Sequence, residues 1–144
     1  MATIVQKFGG TSLGSAEKIQ NVAKRVTETA RNGHKTCVVV SAMGKTTDDL
    51  ISLAKEVSPK PQPRELDILL TAGERISMAL LSMAISELGQ EAMSFTGAQA
   101  GIVTDESHGQ ARIVEIRGRR IAETLETGKI AIVAGFQGIS ERSD

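Results

Sequence analysis

Aromatic side chains and cysteine are scarce in this sequence. It has no Trp and no Tyr, and only three Phe among 144 residues, so a platform for stacking nucleic-acid bases is not expected. The single cysteine, Cys37, cannot form a disulfide within the chain, and its place beside an apolar run indicates a buried, inert thiol. These absences exclude a disulfide scaffold and argue against nucleic acid as a partner.

Neither sign of charge is in excess. Lys plus Arg number 17, as do Asp plus Glu, so the formal net charge is zero, and a basic footprint for nucleic acid is missing. No uninterrupted apolar run approaches the roughly 18 to 20 residues that span a bilayer, and the chain opens directly into a strand pattern. We therefore expect a cytoplasmic protein with no membrane partner, and the length predicts one domain.

Strand-like and helix-like patterns alternate along the chain. The sequence predicts a first strand over 3–8, a helix that Ser15 caps and Gly33 ends, and an apolar strand over 36–40. Strand, helix and strand in this order form a βαβ unit. The same patterns predict helices over 49–57, 64–88 and 121–125, and strands over 91–95, 102–103, 112–116 and 130–134. The fold class is therefore α/β, with a mainly parallel sheet covered by helices on both faces.

Two glycines follow the first strand. Gly9 and Gly10 have no Cβ, so their backbone can adopt positive φ and bring N–H groups close to an anion. Lys7 adds a mobile positive charge that could stabilise a phosphoryl group in transfer. The spacing fits neither the Walker loop nor the dinucleotide pattern. A phosphate-handling loop and a plain strand-to-helix turn both remain open at this point.

Two further loops of small or polar residues follow strands. The stretch 41–48 follows the second strand, at the end where open α/β sheets bind ligands, and Thr47 or Asp48 is expected to cap the next helix. The stretch 96–101 is expected to be a second loop of small residues. His108 has no second His, Cys or carboxylate at ligand spacing, so we expect a surface histidine and no metal site.

Glu74 interrupts the apolar face of the longest predicted helix. At about 100° per residue it falls between Leu70, Leu81 and Ile85, whereas Arg75 points the opposite way. A carboxylate on a buried face needs a partner. A lysine of the chain and the ammonium group of a substrate are the two alternatives. Gly73 beside it lowers helix propensity and leaves room for something to approach.

Five segments together resemble the aspartokinases of the amino-acid kinase family. No single segment is specific, but all five occur in order over nearly the whole chain. They are Lys7 to Ser12, Val40 to Gly44, Leu70 to Ser77, Ser94 to Gly101 and Val133 to Gly138. The resemblance implies a three-layer αβα sandwich. It also implies a reaction in which MgATP phosphorylates the side-chain carboxylate of L-aspartate, giving 4-phospho-L-aspartate on the route to lysine, threonine and methionine.

The resemblance also implies roles for individual residues. Lys7 would be the catalytic residue that stabilises the transferring phosphoryl group, and Glu74 would take the ammonium group of aspartate. Thr47 would help to hold aspartate, and Ser41 would lie where nucleotide and substrate meet. The ATP-binding set would be Lys7, Phe8, Gly9, Gly10 and Ser41. Mg²⁺ would arrive with ATP, and no protein nucleophile is required.

The resemblance covers only part of the family pattern. The family's Gly-Arg-Gly-Gly-Ser-Asp loop, nucleotide lobe and paired regulatory domains have no counterpart in 1–144, so this stretch is expected to be the N-terminal portion of the kinase domain. An incomplete sheet leaves an unpaired edge, which predicts association with a second copy or another chain. Another amino-acid kinase, acting on glutamate, acetylglutamate or a nucleotide, and a non-catalytic ligand-binding module remain as alternatives.

Overall fold

The structure, a computed structural model, describes residues 1–144. It contains seven β-strands, five α-helices and one 3₁₀ turn over Gly10–Leu13. The strands are β1 Thr3–Phe8, β2 Lys35–Val40, β3 Ala92–Phe95, β4 Ile102–Thr104, β5 Ile113–Ile116, β6 Ile130–Ala134 and β7 Ile139–Ser140. The helices are α1 Ala16–Arg31, α2 Thr46–Val57, α3 Pro63–Glu87, α4 Gly97–Ala100 and α5 Arg119–Glu126.

The first βαβ unit forms as the sequence predicts. Ser15 is the N-cap of α1, because its hydroxyl accepts a hydrogen bond from the N–H of Lys18 at 3.2 Å. The helix ends at Asn32, as expected. β2 pairs in parallel with β1, and its apolar residues are almost all buried. The 3₁₀ turn between β1 and α1 was not predicted.

Four parallel strands form the main sheet, in the order β1-β2-β6-β3. The register places Phe8 beside Val40, and Val40 beside Ala134. The carboxyl ends of the strands therefore meet at one edge, which we call the carboxyl edge. β1 and β3 each pair with a single neighbour, so the sheet has two free edges.

Helices cover both faces of this sheet, which confirms the α/β class and the αβα layering. On one face α1 and α3 bury Val38, Val40, Ile130 and Ile132. On the other face α4 and α5 pack over Cys37, Phe95, Ala131 and Val133. Because both faces are buried, β2 and β6 are continuous apolar runs rather than alternating ones. Burial also raises the pKa of the Cys37 thiol, as expected for an inert cysteine.

Three short strands near the end of the chain form a second sheet. Its order is β5-β4-β7, with β4 antiparallel to β5 and parallel to β7. The sequence pattern predicts no strand after 130–134, but Ile139–Ser140 forms β7 and Ser140 is buried. His108 is not simply a surface residue either. Its imidazole is partly buried between Asp67, at 3.3 Å, and Asp144, at 3.6 Å.

Two predicted loops also differ from the structure. α2 begins at Thr46, so Thr47 and Asp48 lie in its first turn and neither side chain caps it. The expected loop 96–101 contains the short helix α4, which has a capping box between Thr96 and Gln99. Both errors arise because small polar residues favour turns and helix starts equally.

The long helix α3 is the central packing element. By length and composition alone it could cross a bilayer, although it is not an uninterrupted apolar run. It packs against α1, α2, β3 and β6, and it buries Leu81 and Ile85 completely. Charged Glu74 lies on the same buried side. One side of α3 thus packs into the domain, whereas Ile68, Ile76, Leu80 and Met83 of the same helix are exposed.

Candidate functional site

Lys7 and the turn after β1 lie at the carboxyl edge of the sheet. Lys7 is exposed and forms no salt bridge, so its ammonium group is free to meet a ligand. Leu13 is fully buried and anchors the 3₁₀ turn, while Ser12 donates its N–H to the carbonyl of Gly9 at 3.1 Å. Neither Gly9 nor Gly10 has a positive φ, so the prediction that these glycines serve a left-handed backbone is wrong.

Close approach of the backbone explains Gly10 instead. A Cβ on Gly10 would lie 2.9 Å from the carbonyl oxygen of Gly44 and 3.0 Å from that of Ala42. The N–H of Gly44 donates to the carbonyl of Gly10 at 2.8 Å, and the N–H of Ser41 donates to the carbonyl of Phe8 at 3.1 Å. Ser41 is thereby held beside the end of β1. A Cβ on Gly9 would meet nothing within 4 Å, so the backbone there is open to a ligand.

Glu74 lies inside the fold, as the helical geometry predicts. Glu74 is only 8% exposed, whereas Arg75 faces solvent. Burial raises the pKa of the Glu74 carboxyl, and only a hydrogen bond from its own backbone N–H opposes that shift. No lysine or arginine pairs with it, so the alternative of an internal ion pair is wrong. A buried carboxylate without a cationic partner is an unmet electrostatic requirement.

Gly73 brings α3 into contact with the loop after β2. A Cβ on Gly73 would lie 2.8 Å from the Cβ of Ala42 and 3.5 Å from the Cγ2 of Thr46. The space expected beside Gly73 is therefore filled by Ala42 and not by a ligand. Thr47 is the next residue after Thr46 and is partly buried in the first turn of α2. Glu74 and Thr47 thus flank the same contact between α2 and α3.

The loop after β6 completes the edge, and sequence reasoning did not assign it a role. The N–H of Gly135 donates to the carbonyl of Val40 at 2.8 Å. The Gln137 side chain accepts from the N–H of Gly97 and donates to the carbonyl of Thr71, both at 3.4 Å. The only sequence signal for Gln137 was that it belongs to the segment Val133 to Gly138, one of the five that carry the family resemblance. Gln137 therefore connects this loop to α3, one turn before Glu74, and to the start of α4.

Lys7 is exposed at the end of β1, Ser41 is half-buried after β2, and Glu74 is buried on α3, next to the Gly73 contact with Ala42. Lys7, the turn backbone and Ser41 suit an anion such as a phosphate. Glu74 suits a cation small enough to enter a buried site, such as an ammonium group. No group of three potential metal ligands occurs in the chain. The arrangement is suited to a ligand pair in which one molecule carries phosphate and the other an amine.

The family model described as the amino acid kinase family matches residues 2–144. The mainly parallel sheet and its two helical layers agree with that match. The chain belongs to the amino acid kinase family.

Relatives and solved structures refine this result. The chain is 58% identical over 143 residues to an aspartokinase of Corynebacterium glutamicum, covering 99% of the chain and 34% of the relative. The crystal structure of aspartate kinase from Synechocystis matches with a TM-score of 0.81 and 51% identity, covering 96% of the chain and 22% of that protein. The chain spans about one third of the length of the curated relatives it matches.

A more distant solved structure supports the fold alone. Aspartokinase III of E. coli, solved in complex with aspartate and ADP, matches with a TM-score of 0.83 at 20% identity. That match covers 98% of the chain and 42% of the E. coli protein. The fold described here is therefore the one that these kinases share.

Proposed function

We propose that the chain forms part of an aspartate kinase, which transfers the γ-phosphoryl group of ATP to the side-chain carboxylate of L-aspartate. The observation that carries this proposal is Glu74, a buried carboxylate that no cation of the chain neutralises. An amino-acid substrate supplies the missing cation through its ammonium group. Similarity to aspartokinases at 55–58% identity identifies aspartate as the acceptor to test first.

The residues around Lys7 form the nucleotide side of the proposed site. The amides of Gly9 and Gly10 and the edge of Phe8 line the approach to the phosphates, and Ser41 lies between nucleotide and acceptor. Lys7 acts on the charge that develops as the phosphoryl group moves from donor to acceptor. The reaction is a direct in-line transfer, because the acceptor carboxylate is itself the nucleophile.

Glu74 and Thr47 form the acceptor side. Glu74 must be ionised to pair with the ammonium group, and the arriving cation lowers the pKa that burial has raised. The Thr47 hydroxyl provides a polar contact at the start of α2. The two residues orient aspartate so that its side-chain carboxylate faces the phosphates, and orientation of this kind accounts for much of the catalysis of a direct transfer.

Mg²⁺ fits this site only as a companion of ATP. The chain has no cluster of three carboxylate, histidine or cysteine side chains that could hold the ion alone. Mg²⁺ in kinases is commonly held by substrate phosphates, waters and one or two carboxylates. The ion would neutralise phosphate charge, while Lys7 and the glycine amides bind and orient the phosphate oxygens.

The proposal extends to the organisation of the protein. Residues 1–144 supply the first portion of the kinase domain, with Lys7, Ser41, Thr47 and Glu74. The rest of the nucleotide site and the regulatory domains are not within this stretch. We also propose that the protein is cytoplasmic and that a free edge of the main sheet pairs with a second copy or another chain.

The substitution Glu74→Gln tests this function. It is made in an extended chain, in which residues 1–144 are completed with the rest of the Corynebacterium glutamicum aspartokinase sequence. Loss of a buried ion pair should raise the KM for aspartate about 100-fold and leave the KM for ATP within about twofold. Glu87→Gln, on the exposed face of α3, is the matched control. Equal effects on both substrates would contradict the assignment.

Acceptor specificity tests the same proposal independently. The extended chain is assayed with aspartate, glutamate, acetylglutamate and UMP at equal concentrations. Aspartate should be strongly preferred, because Glu74 requires a free ammonium group and the relatives at 55–58% identity are aspartokinases. Preference for acetylglutamate, which has no free ammonium group, would indicate a different amino-acid kinase.

A further inference from the structure

We propose that Gly73 is a positioning residue, which sets the distance between the phosphate side of the site and Glu74. This inference rests on the function proposed above. Gly73 itself touches no substrate. It acts through the short segment Ala42–Gly44, which we call the spacer, and through the register of α3 against that spacer.

The spacer lies between two glycines on different elements. On one side, Gly10 of the 3₁₀ turn contacts the carbonyl oxygens of Ala42 and Gly44. On the other side, Gly73 of α3 faces the methyl group of Ala42. The phosphate-side turn, the spacer and the Glu74 helix are therefore stacked in contact. The thickness of this stack determines how far Glu74 lies from the turn that follows Lys7.

No space remains for a methyl group on Gly73. Its Cβ would lie 2.8 Å from the Cβ of Ala42, whereas two carbon atoms in contact are usually about 3.5–4.0 Å apart. Ala42 is only 4% exposed and cannot move outward freely. A methyl group at position 73 therefore displaces α3, and Glu74 with it, by up to about 1 Å.

Helix stability gives no reason for glycine at this position. Position 73 lies near the middle of the 25-residue helix α3, where glycine is the least favourable residue after proline. A fold that needed only a stable α3 would be served better by alanine. The contact with Ala42 explains the glycine, and the adjacent Glu74 links that contact to the acceptor.

Kinetics of the extended chain test the positioning role through a compensating pair. Gly73→Ala should lower kcat about 10- to 100-fold, because a displacement of about 1 Å is costly for an in-line transfer, and should leave the KM for ATP within about twofold. Adding Ala42→Gly removes the methyl group that Gly73→Ala meets, so the double variant should return to within about threefold of the unsubstituted enzyme. Ala42→Gly alone is the control.

A second glycine provides a matched negative control. Gly10→Ala should also lower kcat, but Ala42→Gly should not rescue it, because the atoms nearest position 10 are backbone oxygens that remain in place. Rescue of Gly73→Ala but not of Gly10→Ala supports the proposal. Failure of the double variant at position 73 to recover, or an unchanged kcat in Gly73→Ala, would overturn it.

The titration of Glu74 supplies a readout that does not depend on activity. NMR of the Glu74 side-chain carboxyl carbon in the 144-residue chain reports its apparent pKa. Gly73→Ala should shift this pKa, and adding Ala42→Gly should restore it; an identical titration in all three proteins would overturn the positioning role. If the titrations behave as expected while the unsubstituted extended chain produces no aspartyl phosphate, the proposed function fails and the contact between Gly73 and Ala42 stands.

Discussion

The main-chain N–H of Gly44 donates a hydrogen bond to the carbonyl of Gly10 at 2.8 Å, which joins the loops after the first two strands. The two residues are far apart in the chain, and this bond holds their loops together. Together with the bond from Gly135 to Val40, this places three loops of the carboxyl edge in fixed relation. If this edge handles phosphate as proposed, its loops are organised before the substrates arrive.

Ionisation of Glu74 should make the stability of the protein depend on pH. Burial raises the folded-state pKa of this carboxyl above its usual value of about 4.3, so the folded protein binds the proton more tightly than the unfolded chain. The stabilising contribution is complete below about pH 4.3 and is lost as the pH rises through the higher folded-state pKa. Glu74→Gln should remove this component from urea unfolding curves recorded between pH 4 and 8.

Glu87→Gln serves as the control for that measurement, because Glu87 is exposed on the same helix. A pH dependence that is the same in Glu74→Gln and in the unsubstituted protein would contradict the buried, uncompensated state of Glu74. Addition of aspartate should reduce the pH dependence in the unsubstituted protein if the ammonium group pairs with Glu74.

Loss of the Lys7 charge should affect catalysis much more than stability. Lys7 is exposed and forms no salt bridge, so Lys7→Met should change the free energy of unfolding by less than about 0.5 kcal/mol. In the extended chain the same change should lower kcat by about 10²- to 10³-fold, as expected for removal of one group that stabilises developing charge. Lys55→Met, on exposed α2, should leave kcat unchanged. An active Lys7→Met variant would refute the role of Lys7.

Periodicity was sufficient to predict most of the fold. The bounds of β1 and β6 match their predictions, and Ser15 caps α1. β6 and α1 bury regular apolar patterns, whereas β1 alternates between half-buried and exposed residues. The sequence also placed Glu74 on the buried face of α3. That inference needed only the helical period and the positions of Leu81 and Ile85.

Contacts between distant segments could not be predicted in the same way. The prediction that Gly10 needs a positive φ was wrong. Glycine is required there because the backbone lies close to the loop 42–44, and that contact depends on how two loops pack. The contact of Gly73 with Ala42 was missed for the same reason. Pairing of Ile139–Ser140 with β4 also escaped prediction, since a two-residue strand has no period.

Phe136 carries backbone strain that can be removed. It adopts a φ of 61° although it is a bulky residue, and its side chain is fully exposed. Left-handed backbone costs about 1 kcal/mol for residues with a Cβ, and Asn tolerates it better than most. Phe136→Asn should therefore increase the free energy of unfolding by about 0.5–1 kcal/mol, measured by urea denaturation. Phe136→Ala is the control, and equal stability of both variants would contradict this explanation.

The contacts of His108 with Asp67 and Asp144 should weaken when Arg64, which pairs with Asp144, is removed. Asp144 accepts hydrogen bonds from the Arg64 guanidinium, which lowers the pKa of the Asp144 carboxyl, and it also faces His108. All of these side chains are partly exposed and screened by solvent, so Arg64→Ala should change the free energy of unfolding only slightly. Hydrogen exchange should nevertheless increase in β7 and in the turn around His108. Unchanged exchange in both segments would contradict the role of the Arg64–Asp144 pair in holding them.

Formation of aspartyl phosphate is the most direct test of the proposed function. The extended chain and the 144-residue chain are each incubated with aspartate and MgATP at high concentration, and the acyl phosphate is trapped as the hydroxamate. We predict ATP-dependent hydroxamate from the extended chain, lost in Glu74→Gln when aspartate is limiting. An extended chain that binds aspartate but forms no hydroxamate would contradict the kinase assignment and favour a ligand-binding module.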